Sequence, residues 1–200
     1  DWVQFKNVRG ILWYTVTYDG KRNSVMGSCM RMPRIRIYSY ELYKFYDVEN
    51  IIRIGSSGAY TKDLKLYQVV LVEECWSEST YAKTQNGEEA QTLKANPELN
   101  KQLENIAKDL DINITKERIH SSDVFYRENF AEYLEIAEKI GATCVEMEAF
   151  ALFHNANITG KKAACLLTIS DNLVTHEATT SEERENAFTN MMKIALGTAE

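Results

Sequence analysis

The chain has few of the residues that interrupt or cross-link a fold. Its 200 residues include two prolines, Pro33 and Pro97, and four cysteines that show no CxxC spacing. With 44% hydrophobic and 26% charged residues, the composition is ordinary for a globular protein. A chain of this length buries about 70% of its unfolded surface around one core. We expect a single domain over residues 1–200, with buried, reduced thiols rather than disulfides or metal ligands.

The chain also lacks an excess of positive charge and any long apolar run. Its net charge of -6 argues against nucleic acid as a partner, because such binding needs a basic face that displaces counterions. No apolar run approaches the roughly 20 residues that span a bilayer, and Asp1–Gln4 shows no signal-peptide pattern. We expect a cytoplasmic protein with no membrane partner. Since the sequence does not begin with methionine, we also expect residues upstream of it to be missing.

Hydrophobic periodicity predicts a hairpin followed by alternating strands and helices. Ile11–Tyr18 ends at Asp19-Gly20, a two-residue hairpin signal, and the apolar run Ile51–Ile54 indicates a buried strand that stops at Gly55. Four more strands are predicted over Gln68–Val72, Ile112–Ile119, Ala142–Glu146 and Lys162–Ile169. Helices are predicted from Pro33, over Pro97–Leu110, Phe130–Ile140 and Glu148–Ala156, and after a capping box at Thr180–Glu183. This alternation favours an α/β fold with a mixed central sheet flanked by helices.

Polar clusters follow several predicted strands, and ligands of open α/β sheets bind where strands end. These clusters are Arg53 with Gly55–Gly58, Ser121–Asp123 before Phe125, Glu146–Glu148, and Ser170-Asp171. Arg53 and the Gly-Ser stretch offer a cation, hydroxyls and free backbone N–H groups, which suit a phosphate. Each cluster also has an ordinary interpretation: a structural ion pair for Arg53, a turn, a solvated strand end for the glutamates, and a cap for Asp171.

Seven segments together resemble the successive motifs of a known family. They are Asn7–Gly10, Ser24–Gly27, Ile51–Ser56, Ser122–Tyr126, Val145–Ala149, Thr168–Asp171 and Glu183-Arg184. In order and spacing they resemble the hexameric, bacterial-type purine nucleoside phosphorylases, which use inorganic phosphate to cleave the bond between a purine and its sugar. The resemblance implies a nucleoside phosphorylase-like domain that lacks its N-terminal part. It also implies a homohexamer built as a trimer of dimers, with phosphate as co-substrate and no cofactor.

The resemblance assigns roles at the phosphate and sugar. Arg53 and Ser56 would hold phosphate, and Arg9 would reach the phosphate site of a neighbouring subunit. Glu148 would accept hydrogen bonds from the ribose hydroxyls, while Met147 would pack on the sugar.

Further residues are assigned to the base. Phe125 would stack on the purine, and Ser170 would belong to the same subsite. Negative charge develops on the departing purine, so the reaction needs a proton donor there. Asp171, aided by the cation of Arg184, resembles the family's acid that protonates the purine ring nitrogen.

Five positions depart from the family pattern. Cys29, Arg31, Arg34 and Arg36 stand where the family usually has small residues, and Val16 replaces a usual glycine. If those backbones need a positive φ or close packing, each substitution costs about 1 kcal/mol or more.

Two alternatives to a phosphorylase stay open. A related hydrolase would attack the nucleoside with water, and Arg53 would then be unnecessary. A catalytically impaired nucleoside-binding or assembly protein is the other, suggested by the arginine substitutions. His120, His154 and His176 have no metal-ligand spacing, so we expect surface or core histidines and no metal.

Overall fold

The computed structural model describes residues 2–8 and 11–198, with side chains from residue 12 onward, and it shows a mixed α/β fold. The strands in this part of the chain are β1 (Trp2–Val8), β2 (Ile11–Tyr18), β3 (Lys21–Met26), β4 (Asn50–Ala59), β5 (Val69–Trp76), β6 (Thr92–Lys94), β7 (Ile114–Ser121), β8 (Cys144–Glu146) and β9 (Lys162–Asn172). The helices are α1 (Met32–Phe45), α2 (Tyr81–Asn86), α3 (Pro97–Asp109), α4 (Glu132–Ile140), α5 (Ala149–Thr159), α6 (Ser181–Asn186) and α7 (Thr189–Leu196).

The first three strands form a separate antiparallel sheet in the order β1-β2-β3. Asp19 and Gly20 link β2 to β3 with φ values of 49° and 76°, the left-handed pair that a tight hairpin turn needs. The predicted hairpin is therefore confirmed. β1 was not predicted from the sequence.

The remaining strands form one mixed sheet in the order β6-β5-β7-β8-β4-β9. β4 and β9 are parallel and pair along their length, from Asn50 opposite Lys162 to Ala59 opposite Asn172. β5 pairs with β9 as well as with β7, so the sheet closes on itself. The predicted mixed central sheet is confirmed.

Alternate side chains of the buried strands enter two different hydrophobic clusters. Val70 and Val72 belong to the cluster that includes α1 and α5, whereas Val69 and Leu71 belong to the cluster with α3 and α7. A strand that is buried on both faces has a continuous run of apolar residues in its sequence. This arrangement places helices on both sides of the sheet, as the alternation of elements predicted.

Several predicted boundaries were wrong. β5 and β9 continue beyond their predicted ends to Trp76 and Asn172. β4 continues through Gly55 to Ala59 rather than stopping at the glycine, because its partners β8 and β9 pair with it as far as Ala59. The predicted final helix is two helices. The capping box at Thr180 starts α6 as predicted, but this helix ends at Asn186 and α7 begins at Thr189. At the break Phe188 is buried against the ring of Tyr67. The short elements α2 and β6 were not predicted.

The predicted positions of the cysteines and histidines are confirmed except at Cys29. Cys75, Cys144 and Cys165 are free and buried, but Cys29 is exposed and corrects the expectation of burial. His120 and His154 lie in the core, and His176 is on the surface.

In the described ranges, no helix combines the length and the apolar character needed to cross a membrane.

Candidate active site

Three adjacent strands, with β4 in the middle, carry Arg53, Glu146 and Asp171. Gly58 of β4 lies opposite Val145 of β8 on one side and Asp171 of β9 on the other. β8 runs antiparallel to β4, so Glu146 lies back along β4 instead of at its end. The sequence interpretation placed all the polar clusters at strand ends. Arg53 departs from that expectation because it lies inside β4.

Arg53 is the centre of a buried ion-pair group. Its Nε lies 3.2 Å from Glu146 Oε2, and its Nη2 contacts Glu148 Oε2. Burial lowers the pKa of Arg53, but the charges of Glu146 and Glu148 outweigh burial and raise it, so the guanidinium is charged. Burial raises the pKa of Glu146, Arg53 opposes this rise, and Glu148 adds to it.

Glu146 also holds the start of α5. One of its carboxylate oxygens accepts the backbone N–H of Glu148 at 2.9 Å, and both lie 3.0 Å from the N–H of Ala149. A carboxylate is stabilised at a helix N-terminus by free N–H groups and the helix dipole. Glu146 and Glu148 are each only 5% exposed, so they are not a solvated strand end. Glu146 has no predicted role from the sequence, although an acidic residue just before a predicted helix is a capping signal.

Two glycines of β4 give the site side chains their space. A Cβ on Gly55 would lie 2.3 Å from Arg53 Nη1, and a Cβ on Gly58 would lie 2.8 Å from Asp171 Oδ2. Real Cβ atoms do not approach other atoms so closely. The Gly-Ser stretch is therefore a strand that accommodates a cation and a carboxylate, and not a turn.

The segment before α1 covers Glu148. The backbone N–H of Arg31 donates to Glu148 Oε1, so both oxygens of this carboxylate have donors. Arg31 has φ 76° and ψ 154°, and Cys29 has φ 58°. These left-handed conformations confirm that the substituted segment needs a positive φ at two positions. Arg34 and Arg36 lie inside α1 instead, and Val16 lies in β2.

Asp171 lies near the end of β9, opposite Gly58 of β4. The hydroxyl of Ser170 donates to Asp171 Oδ1 at 2.7 Å, with a longer contact of 3.3 Å to the carbonyl oxygen of Ser57. Arg184 donates to the side chain and carbonyl of Thr179 at 3.1 and 3.2 Å. The backbone N–H and hydroxyl of Thr179 in turn donate to the carbonyl of Ser170. Arg184 is thus joined to the Ser170-Asp171 pair through Thr179, and no direct Asp171–Arg184 ion pair occurs among the described side chains.

The remaining predicted residues lie around this centre. Met147 is half-buried and Ser56 is exposed, with no hydrogen bond between Ser56 and Arg53 in the described part of the chain. Phe125 is 59% exposed, in the loop after β7. Arg9 lies outside the described residues.

Comparisons with known proteins identify the family of the chain. The family model of the phosphorylase superfamily matches residues 2–198. The DeoD-type purine nucleoside phosphorylase of Mycoplasma genitalium is 43% identical over 94% of this chain and 80% of its own length. The enzymes of the same name from Psychromonas ingrahamii and Bacillus subtilis are 41% and 38% identical over 98% and 96% of this chain, and 83% and 82% of their own lengths.

A solved structure confirms the fold. The crystal structure of Toxoplasma gondii purine nucleoside phosphorylase in complex with immucillin-H has a TM-score of 0.87, with 21% identity, over 98% of this chain and 80% of the other. With the matches in sequence, this shows that the chain belongs to the phosphorylase superfamily and, within it, to the DeoD-type purine nucleoside phosphorylase family.

Proposed function

We propose that this chain catalyses the phosphorolysis of purine ribo- and deoxyribonucleosides, releasing the free base and a pentose 1-phosphate. Relatives of about 40% identity are named DeoD-type purine nucleoside phosphorylases. The observation that supports the proposal most directly is the contact between Arg53 and Glu148. It joins the residue predicted to bind phosphate to the residue predicted to bind ribose.

In this reaction one phosphate oxygen forms a bond to C1′ of the sugar while the C1′–N9 bond to the purine breaks. The bonding electrons go to the purine, and a proton on a purine ring nitrogen neutralises them. Phosphate supplies the anion that the electron-poor sugar needs. Asp171 supplies the proton, with Ser170 fixing its carboxyl group through Oδ1 and leaving Oδ2 for the base.

Phosphate must share the Arg53 guanidinium with two carboxylates. Nε and Nη2 face Glu146 and Glu148, whereas Nη1 has only a 3.9 Å contact with the sulfur of Cys165 among the described residues. Sulfur is a weak acceptor. Nη1 is therefore the group that binds phosphate in this proposal, with Ser56 as a second donor.

Ribose binding requires an exchange at Glu148. The ribose hydroxyls replace the N–H of Arg31 at Oε1, so the segment before α1 moves away from Glu148 when substrate binds. Met147 then packs on the sugar, and Phe125 stacks on the base. Inorganic phosphate is the co-substrate, and the chemistry requires no cofactor.

The proposed enzyme is a cytoplasmic homohexamer, a trimer of dimers, in which Arg9 of one subunit completes the phosphate site of its neighbour. Sharing a site in this way makes activity depend on assembly. The test mixes inactive Arg9→Ala subunits with inactive Asp171→Asn subunits after dissociation and reassembly. Hybrid assemblies recover activity if Arg9 acts across the interface. No recovery in hybrids confirmed by mass contradicts it.

The reaction itself is tested by purine release from adenosine, inosine and guanosine, each with and without phosphate. We expect release that depends on phosphate and saturates with it. Equal release without phosphate indicates the hydrolase alternative, and nucleoside binding without any release indicates the impaired binding protein.

A further inference from the structure

Glu78 lies in the connection between β5 and α2 and accepts hydrogen bonds from residues of the loop after β7. Its Oε1 accepts hydrogen bonds from the Ser122 hydroxyl at 3.1 Å, the Asp123 backbone N–H at 3.2 Å and Arg127 Nη2 at 2.6 Å. Its Oε2 lies 2.7 Å from Nε2 of the buried His120. The proposed reaction so far gives none of these residues a role.

The surroundings of Glu78 stabilise the ionised form of its carboxylate. Burial raises the pKa of Glu78, but the hydrogen bond and charge of His120, with help from Ser122, outweigh burial and lower it to about 2. His120 is itself fixed by Tyr60, whose hydroxyl lies 2.8 Å from Nδ1. Charge-assisted hydrogen bonds of this kind are stronger than neutral ones.

The loop that Glu78 holds has little packing of its own. Phe125 and Tyr126 are 59% and 83% exposed, and residues 122–127 contain no helix or strand. On the far side, the Tyr133 hydroxyl lies 2.8 and 2.7 Å from the carbonyl oxygens of Val124 and Phe125. The position of Phe125 therefore depends on the hydrogen bonds that Glu78 and Tyr133 make with the backbone of this loop.

The same loop is tied to the proposed sugar site. The N–H of Ser122 donates to the carbonyl of Glu146 at 2.8 Å, and Glu146 contacts Arg53. A shift of the loop thus changes where Phe125 lies relative to the group around Arg53.

We propose that Glu78 is a positioning residue for the purine subsite: it fixes the loop of residues 122–127 so that Phe125 presents its ring to the base. This inference rests on the proposed function, in which Phe125 stacks on the purine. The hydrogen bonds of Glu78 in the described structure go to His120, Ser122, Asp123 and Arg127, and none of these is assigned to phosphate or sugar. The loss of Glu78 therefore weakens nucleoside binding and leaves phosphate binding intact.

The test is Glu78→Gln, which keeps the size of the side chain but replaces one acceptor oxygen by an NH₂ donor facing other donors. We expect the KM for inosine to rise about tenfold and the KM for phosphate to stay within about twofold. Glu132→Gln is the matched control. It removes the other carboxylate that Arg127 contacts, at 3.1 Å, without touching Ser122, Asp123 or His120, and both KM values should stay unchanged.

A double-variant cycle decides whether Glu78 acts through Phe125. In a Phe125→Ala background, Glu78→Gln should raise the KM for inosine less than twofold further, because the residue being positioned is gone. Full additivity of the two effects overturns the proposal. So does a fall in the apparent kcat with both KM values unchanged, which is the result expected of a residue that only stabilises the fold.

Hydrogen exchange separates this proposal from the proposed function. Glu78→Gln should speed exchange of the Asp123 amide at least tenfold relative to wild type and to Glu132→Gln. If the wild type releases no purine, the proposed function fails, and a faster exchange still supports the loop-positioning role. Unchanged exchange overturns that role whatever the activity.

Discussion

The guanidinium of Arg53 occupies the space that a side chain at Gly55 would need, since a Cβ there would lie 2.3 Å from Nη1. Side chains two residues apart on a strand share a face, so Arg53 extends along β4 over Gly55. The glycine is therefore part of the proposed phosphate site, although it contributes no side chain.

Gly55→Ala should raise the KM for phosphate about tenfold or more, because the methyl group displaces Nη1. The measurement is phosphate saturation at constant inosine. Gly87→Ala is the control: its φ of 83° makes the variant strained, but nothing lies within 4 Å of its Cβ. It should lower the melting temperature without changing phosphate saturation. An unaltered phosphate KM in Gly55→Ala removes Nη1 from the phosphate site.

Arg53, Glu148 and Asp171 are predicted as site residues from the sequence, but the sequence does not predict how they are arranged. From the sequence, Gly55 predicts the end of a strand, because glycine weakens strands by local propensity. Pairing on both sides of β4 overrides that propensity. The approach of Glu146 to Arg53 depends on β8 running antiparallel to β4, and hydrophobic periodicity carries no information about strand direction.

Arg31→Gly should stabilise the fold. Arg31 has φ 76° and ψ 154°, a conformation that is populated almost only by glycine. Replacing it should raise the free energy of unfolding by about 1 kcal/mol in urea, since the strain disappears and the backbone N–H to Glu148 remains. Glu41→Gly, at an exposed position inside α1, should lower it by about 1 kcal/mol. A loss of stability in Arg31→Gly contradicts the positive φ.

Asp171→Asn should lower kcat about 10²-fold or more, as expected when a positioned acid is removed. Assembly should be preserved, because the amide has the same shape and its oxygen still accepts from Ser170. The check is single-turnover purine release, with Asp109→Asn, an exposed aspartate at the end of α3, as control. Natural nucleosides turned over at the wild-type rate by Asp171→Asn would eliminate Asp171 as the acid.

The carboxylate of Glu78 should make stability depend on pH in a defined window. Its pKa is about 2 in the folded protein against an ordinary 4.5. The stabilisation from the ionised form is thus complete well above pH 4.5 and is lost as the pH falls toward 2. The difference in unfolding free energy between wild type and Glu78→Gln should therefore shrink as the pH falls from 4.5 to 3. A difference that grows on acidification would mean that the carboxylate is not held ionised.

The central claim is that phosphate, held by Arg53, becomes bonded to the sugar. The most direct measurement follows inorganic phosphate by ³¹P NMR while the wild-type protein acts on inosine and purine release is recorded in parallel. We predict one pentose 1-phosphate formed for each purine released, and we expect Arg53→Ala to need far more phosphate for the same rate. Purine release with no new phosphate ester, and free ribose as the sugar product, would contradict it.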